Sequence, residues 1–384
     1  MKTTLPSPSA EALVSSEKLQ SLIRQEIDDS GGWIPFSRFM TLALYAPQYG
    51  YYTGGSHKIG AAGDFVTAPM LTPLFGRALA RQFSRLLPQT AGNVYEFGAG
   101  TGDLAASLLA SCPEIQFYYI IELSPELADR QRACLASRVP QYVHKVVHLE
   151  TLPEVLDGVV IGNEVLDAMP CERVAYSSQQ YQRIGVAVSD RHFVLEPRVL
   201  RDESLLQAAM QYIPPQEGYT SELHPEQHGF VRTLGQKLER GAVILIDYGF
   251  DAAQYYHPQR SDGTLIGHYR HHTVHDPFFQ IGLADLTAHV NFTDIAQAGT
   301  EVGLDLIGYA NQAAFLLNLG ITELLAEQFS PEHTGSPEYV REAAALQQLT
   351  AQHEMGELFK VIAFGKQIEV DWAGFTYGDI CHKL

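Results

Sequence analysis

Apolar residues along this chain follow first a helical period and then short, strand-length runs, and the change of period marks out the elements. Leu19, Leu22, Ile23 and Ile27 lie on one stripe, which predicts a helix over 16–28. A shorter helix is expected over 37–44, inside a stretch rich in Tyr, Pro and Gly. Leu74, Leu79 and Phe83 recur at helix spacing with Arg77, Arg81 and Arg85 between them, predicting an amphipathic helix over 71–87. After the turn at Gly92-Asn93 the pattern alternates. Apolar runs at 94–97, 117–123, 142–148, 158–162 and 242–247 read as strands, and 104–110 and 125–136 read as helices between them. Such alternation implies an α/β fold, a parallel sheet covered by helices on both faces. In such sheets ligands sit at the carboxyl ends of the strands.

Two stretches break the alternation. Residues 173–199 alternate Val, Tyr and Phe with polar residues and carry a Ser189-Asp190 turn, so β-hairpins are expected there. Residues 252–294, rich in His, Tyr, Gly and Asp, read as a functional loop or lid. A last helix over 341–352 leads to a closing strand over 358–365.

Composition narrows the function classes. Hydrophobic residues make up 46% and charged residues 18% of 384, as in a well-packed soluble protein. The formal net charge is -18. A field of that sign repels nucleic acid and anionic membranes and attracts cationic partners, so no nucleic-acid partner is expected. Cys112, Cys134, Cys171 and Cys381 are scattered without a C-x-x-C pair and read as reduced thiols. No apolar run is long enough to span a bilayer, so no membrane insertion is expected. The first residues lack the apolar stretch of a secretory signal, and the expected location is cytoplasmic.

The sharpest chemical signal is the run Glu96-Phe97-Gly98-Ala99-Gly100-Thr101-Gly102 between a strand and a helix. Its glycines permit a tight turn and a close ligand, and the following helix offers free N–H groups. The spacing is G-x-G-x-G, not the dinucleotide G-x-G-x-x-G. An acidic residue two positions before the first glycine opposes a pyrophosphate but suits a ligand bearing an amino acid and a sulfonium cation. About twenty residues on, Glu122 ends the next strand, where a carboxylate can accept both ribose hydroxyl protons. These features point to S-adenosyl-L-methionine, and a nicotinamide-dependent oxidoreductase is disfavoured. At the end of the fourth strand, Asn163, Glu164 and Asp167 offer an amide and two carboxylates. The two acids are three residues apart, so one helical turn would put both on one face. A carboxylate pair suits a planar guanidinium. His268, His271, His272 and His275 fall close together, but no regular ligand spacing completes a site, and no metal is expected.

Ordered blocks from about Phe39 to Gly365 resemble the MidA-like family of protein methyltransferases. They include Tyr49-Gly50-Tyr51-Tyr52, Gly63-Asp64-Phe65-Val66-Thr67-Ala68-Pro69, Glu96 to Gly102, and Asn163-Glu164 with Asp167-Ala168-Pro170 nearby. Ile246-Asp247-Tyr248-Gly249, Asp285-Leu286-Thr287-Ala288-His289-Val290 and Met355-Gly356-Glu357-Leu358-Phe359-Lys360 follow. The resemblance implies a class I methyltransferase: a Rossmann-like, doubly wound sheet with an antiparallel strand near the C-terminus. An N-terminal helical segment and an inserted β-rich or lid region accompany it. The chain then divides into an N-terminal extension with a cofactor-covering loop, 1–90, and a methyltransferase domain, 91–384, with insertions at about 172–240 and 252–294. The resemblance also implies a protein substrate methylated on arginine, with a link to respiratory complex I assembly, since the family includes such a mitochondrial assembly factor. A non-arginine acceptor, or a non-catalytic assembly chaperone on the same scaffold, is the alternative. A homodimer is possible on this reading.

The expected cofactor set is Glu96, Gly98, Ala99, Gly100, Gly102, Glu122, Leu123 and Asn163. The resemblance adds Gly63, Asp64 and Phe65, expected to fold over the cofactor, with Thr67 and Pro69. Candidate catalytic residues are Glu164, Asp167 and His289, any of which would take the proton shed by the acceptor nitrogen.

Overall fold

The central apolar runs pair into one sheet in the computed structural model, which describes residues 5–54 and 66–384. Seven of its eight described strands are β1 (Asn93–Phe97), β2 (Phe117–Ile121), β3 (Val146–Leu149), β4 (Leu156–Asn163), β5 (Leu238–Phe250), β6 (Asp305–Asn311) and β7 (Phe359–Lys366), and the two-residue strand Val290–Asn291 pairs with β5 beside them. The seven lie in the order β6-β7-β5-β4-β1-β2-β3. From β5 to β3 every neighbouring pair is parallel. β7 runs antiparallel to both β5 and β6. The helices Asp103–Ser111 and Pro125–Arg138 make the crossovers from β1 to β2 and from β2 towards β3, as parallel pairing requires.

Central strands covered on both faces must be apolar on both, and they are. Val159, Val160 and Ile161 on β4, and Val243, Ile244 and Leu245 on β5, are all buried. Leu74, Phe75, Leu79 and Phe83 of helix Pro73–Leu86 share this core with Leu104 and Leu108 of Asp103–Ser111. Where β4 enters between its neighbours the backbones nearly touch. A Cβ on Gly241 would lie 1.8 Å from the Gly158 carbonyl oxygen, so only glycine fits.

The chain divides into two compact units, and this sheet with residues 66–165, 230–249 and 292–384 is one of them. Residues 66–90 therefore group with the sheet, not with the N-terminal segment. The helix expected over 71–87 is present as Pro73–Leu86, and a separate short helix, Ala68–Leu71, precedes it. Pro73 disfavours a helical Thr72, which turns extended and uses its hydroxyl to accept from the Leu74 N–H at 3.0 Å. The strand expected over 142–148 is shortened to β3, because Pro140 starts a 3₁₀ turn that runs to Lys145. The helices Phe292–Glu301, Gln312–Asn318 and Ile321–Gln328, and β6 among them, have no counterpart in the sequence expectations.

The other unit holds residues up to 65, 166–229 and 250–291. The hairpins expected over 173–199 are the strands Glu172–Ser177, Gln180–Ser189 and His192–Val199 of a five-stranded sheet. Trp33–Pro35 and Tyr219–Leu223 complete it. Leu19, Ile23 and Ile27 of helix Ala10–Asp29 pack with Phe36, Phe39 and Met40 of helix Phe36–Tyr45. The segment read as a lid is folded. Ile266–Tyr269 pairs with His272–Val274 on one side and Asp285–Thr287 on the other. Among the described residues no helix is long and apolar enough to cross a membrane.

Candidate functional site

Parallel register places the carboxyl ends of β1, β2 and β4 along one edge of the sheet. Phe97 is level with Ile121 on β2 and with Gly162 on β4. From β1 the chain winds outward to β2 and β3. From β4 it winds the other way, to β5. The sheet therefore switches direction between β1 and β4, and the crevice outside such a switch is where doubly wound sheets take ligands.

The glycine loop leaves β1 at that crevice. Gly98, Gly100 and Gly102 all have left-handed backbone, with φ of 64°, 52° and 91°. Gly102 is the N-cap of helix Asp103–Ser111, with no capping side chain, so the first N–H groups of that helix are left to the loop or a ligand. A Cβ on Gly98 would lie 2.8 Å from Val165 Cγ2, whereas one on Gly100 would meet none of the described residues within 4 Å. The loop thus packs against the β4 end at one glycine and faces open space at the next. Ala99 is buried beneath it, and its carbonyl accepts from the Gly102 N–H at 2.7 Å.

Glu96 and Glu122 differ in kind. Glu96 is buried on β1, and its Oε2 accepts from the Tyr118 hydroxyl at 2.8 Å. Burial pushes its carboxyl up to about 8, against the Tyr118 bond and with help from the Asp103 charge. At neutral pH it is thus mostly protonated, not the standing carboxylate that the sequence suggests. Glu122, just past β2, has one oxygen accepting from the Ser124 N–H at 2.8 Å and the other from Gln131 Nε2 at 3.0 Å. Burial raises its pKa, and those two bonds oppose the rise. Beside it Leu123 is 73% exposed, an unusual position for a large apolar side chain.

A prediction follows for Glu96→Gln. The folded carboxyl keeps its proton to about pH 8, the unfolded one only to about 4.5. The folded chain binds the extra proton between those values, so native stability falls as pH rises through that window. The variant should match the native protein near pH 4 and exceed it near pH 8.5, by a few kcal/mol at most (about 1.4 kcal/mol for each pKa unit). Denaturation midpoints at several pH values check this; parallel curves for the two proteins would show that Glu96 does not titrate as described.

At the end of β4 the backbone is strained. Glu164 adopts φ 54°, rare for a residue with a side chain, and its N–H donates to the Ile246 carbonyl on β5 at 2.8 Å. Asn163 Nδ2 donates to Glu164 Oε1 at 3.0 Å. The buried Asn163 Oδ1 has no hydrogen-bond partner among the described residues. Residues 164–167 form no helix, which corrects the expectation that one helical turn brings Glu164 and Asp167 to a common face. The strand ends in a left-handed residue, and no i to i+3 geometry is built. Glu164 groups with the sheet unit and Asp167 with the other.

Within that other unit Asp167 is buried, and its carbonyl accepts from the Ala288 N–H at 3.0 Å. The His289 N–H donates to Thr264 Oγ1 at 3.1 Å, and its ring stacks on Phe250 at 5.2 Å. Tyr45 and Tyr52 stack at 5.5 Å, with Tyr52 donating to Asp285 Oδ2 at 2.9 Å and Tyr45 to the Ala168 carbonyl at 3.0 Å. Burial and the charge of His289 push the buried His224 down to about 3, so it is neutral. Sequence reasoning passed over Tyr45 and His224, since an isolated tyrosine and a lone histidine carry no spacing signal, and it met Tyr52 only within a family-like block, with no role. It also passed over Gln131, whose partners lie on three different strands or loops.

Thr67 precedes the short helix Ala68–Leu71, and Pro69 stands in its first turn. Gly63, Asp64 and Phe65 lie outside the described residues. His268 and His272 lie on facing strands of the small sheet, and His271 lies in the turn between them with φ 62°. Among the described residues no three His, Cys, Asp or Glu side chains come together as a metal site.

The donor set fits a sulfonium nucleoside bearing an amino acid. It offers a buried acceptor without a partner on Asn163, open space against Gly100 and a carboxylate with spare lone pairs on Glu122. Comparison with known proteins agrees. The family model described as putative S-adenosyl-L-methionine-dependent methyltransferase matches residues 74–310. A crystal structure from Burkholderia thailandensis, described as a candidate methyl transferase bound to S-adenosyl-homocysteine, is 46% identical. It superposes with a TM-score of 0.95 over 99% of this chain and 100% of that one. The mitochondrial protein arginine methyltransferase NDUFAF7 homologue of Drosophila melanogaster is 26% identical over 93% of this chain and 87% of its own. The mitochondrial protein arginine methyltransferase NDUFAF7 of Danio rerio is 25% identical over 76% of this chain and 74% of its own. The mitochondrial names of these relatives overturn the expectation of a cytoplasmic protein. That expectation rested on scattered cysteines and on the lack of an apolar secretory stretch, and neither excludes another compartment.

Proposed function

The chain belongs to the S-adenosyl-L-methionine-dependent methyltransferase family whose model spans more than half of it, and on that premise we propose that it methylates an arginine side chain of a protein. Its cofactor is S-adenosyl-L-methionine. The strand order, with β7 antiparallel between β5 and β6, is read as the class I methyltransferase arrangement. The arginine acceptor is carried over from the curated relatives, which are named protein arginine methyltransferases.

One observation carries the assignment of the reacting end: Glu164 is held in left-handed backbone at the carboxyl end of β4, beside the glycine loop. Strain of this kind costs about 1–3 kcal/mol and persists where a side chain must be aimed. Bound, the cofactor supplies an electrophilic methyl group on a sulfonium. Glu164 pairs with the acceptor guanidinium, fixes its plane and takes the proton that the attacking nitrogen sheds. Asn163 steadies Glu164 through its amide, and its oxygen, without a partner among the described residues, would accept from the cofactor's ammonium group. Glu122 takes the ribose hydroxyls, and Leu123 offers an apolar face for the adenine. Asp167 and His289 are kept as further candidates for the proton. The inserted regions at about 172–240 and 252–294 are assigned to acceptor recognition.

Incubation with methyl-labelled S-adenosyl-L-methionine and a proteome from cells lacking the enzyme tests this. Acid hydrolysates of the labelled proteins should contain methylated arginine. Label found only on another residue or a small molecule would reject the arginine reading; no label with intact cofactor binding would favour a non-catalytic scaffold.

A further inference from the structure

Resting on the cofactor reading above, we propose that Gln131 is a positioning residue that locks the glycine loop and the ribose-binding carboxylate into one rigid cradle. Gln131 lies on helix Pro125–Arg138 and is 0% exposed. Its Nε2 donates to the Gly100 carbonyl at 3.1 Å and to Glu122 Oε2 at 3.0 Å. Its Oε1 lies 3.1 Å from His148 Nε2. One carboxamide thus ties together the loop after β1, the residue after β2 and a histidine on β3.

The chemistry allows only one arrangement of that amide. An NH₂ group has two hydrogens, and here each meets an acceptor. Turned over, the amide oxygen would face a carbonyl and a carboxylate, repelling both. That arrangement requires the His148 ring to carry its proton on Nε2 and donate it to Oε1, and burial together with the Arg132 charge disfavours a second proton on the ring. The backbone is fitted to the same residue. Gly102 has left-handed backbone, and a Cβ there would lie 3.4 Å from Gln131 Cα, so loop and helix meet closely around the amide.

The consequence falls on Glu122. Its other oxygen is held by the Ser124 N–H. With one protein donor on each oxygen, the carboxylate is fixed in plane and its remaining lone pairs are left for a vicinal diol. Removing Gln131 would leave a half-buried carboxylate free to rotate and release the Gly100 carbonyl. A general loss of packing would weaken every ligand alike. A loss of positioning would instead erase the preference for an intact ribose.

The test uses the full chain and two probes, S-adenosyl-homocysteine and its 2′-deoxyribose analogue, titrated by calorimetry. Gln131→Met keeps the length and volume of the side chain without its polar atoms. The native protein should prefer the intact ribose by at least about tenfold, the value of one charge-assisted hydrogen bond. Gln131→Met should weaken S-adenosyl-homocysteine by about 10- to 30-fold and shrink that preference to under about threefold. In turnover, KM for S-adenosyl-L-methionine should rise by a larger factor than kcat falls. Equal weakening of both probes, or an unchanged affinity, would overturn the proposal. Should Gln131→Met fail to fold, His148→Phe carries the same test from outside the amide, and an undiminished ribose preference in it overturns the proposal. A native protein that binds neither probe would sink the cofactor reading itself; one that binds both, with the variant unchanged, sinks only the role of Gln131.

Discussion

Glu164→Gln should slow methyl transfer to a protein arginine by about 10²- to 10⁴-fold, the range expected when a positioned general base is removed. The substitution keeps the shape of the side chain, and the Glu164 N–H bond to Ile246 is unaffected. The proposed cofactor cradle on Gly98, Gly100 and Glu122 is left in place. Affinity for S-adenosyl-homocysteine should therefore stay within about threefold of the native value, since no charged bond to that ligand is lost. Initial rates at saturating cofactor, read beside calorimetric affinity, separate the two effects. A variant that turns over at the native rate would move the reacting end away from β4. A variant that loses cofactor binding in proportion to its rate would make Glu164 part of the cradle. Because Glu164 is left-handed without being glycine, Glu164→Gly should relieve backbone strain even as it removes the carboxylate.

The second large effect is expected at Gly100. Among the described residues a Cβ there meets no atom within 4 Å, so Gly100→Val creates no clash with them. Its backbone has φ 52°, which a β-branched residue adopts at a cost of about 1–3 kcal/mol. A modest fall in melting temperature is expected on that account. Cofactor binding should fall by more than about 100-fold, because the added carbons fill the space that the loop leaves open. Calorimetry with S-adenosyl-homocysteine, together with a thermal scan, reads both. Native affinity in this variant would mean that the cofactor does not lie against the glycine loop. Gly98 is the poorer test of the same idea. A side chain there strikes Val165 and disturbs Glu164 next to it, so a loss of activity would have two causes.

The strands and helices around the glycine loop were legible because burial on both faces forces long apolar runs. Ile161 in β4 and Ile244 in β5 have no solvent-facing side to encode. The β-hairpins of 173–199 were legible for the opposite reason: one face of each strand is polar, and alternation survives. Elsewhere the local signal was overruled. Pro73 sets the start of a helix drawn from residue 71, and the 3₁₀ turn begun by Pro140 takes the first half of a strand drawn from 142. The segment 252–294 looked like a loop because its strands are only two to four residues long, below the length at which a period can be seen.

At the candidate site the same division holds. The spacing of Gly98, Gly100 and Gly102 and the acid at Glu122 are local facts, since a tight turn and a strand end constrain residue type at a fixed distance along the chain. The state of Glu96 was not legible, because its proton is set by burial and by Tyr118 on the neighbouring strand. Nor was the backbone of Glu164, whose left-handed turn is imposed by the close of β4 against β5.

The amino-acid order alone determined an alternating α/β chain with a tight glycine turn between strand and helix, because side-chain period and turn chemistry act over a few residues. Folding in three dimensions decided which groups share a proton, which carboxylate is held by Gln131 and where the sheet reverses. Those depend on neighbours distant in sequence, and only the packed strands bring them within hydrogen-bond reach.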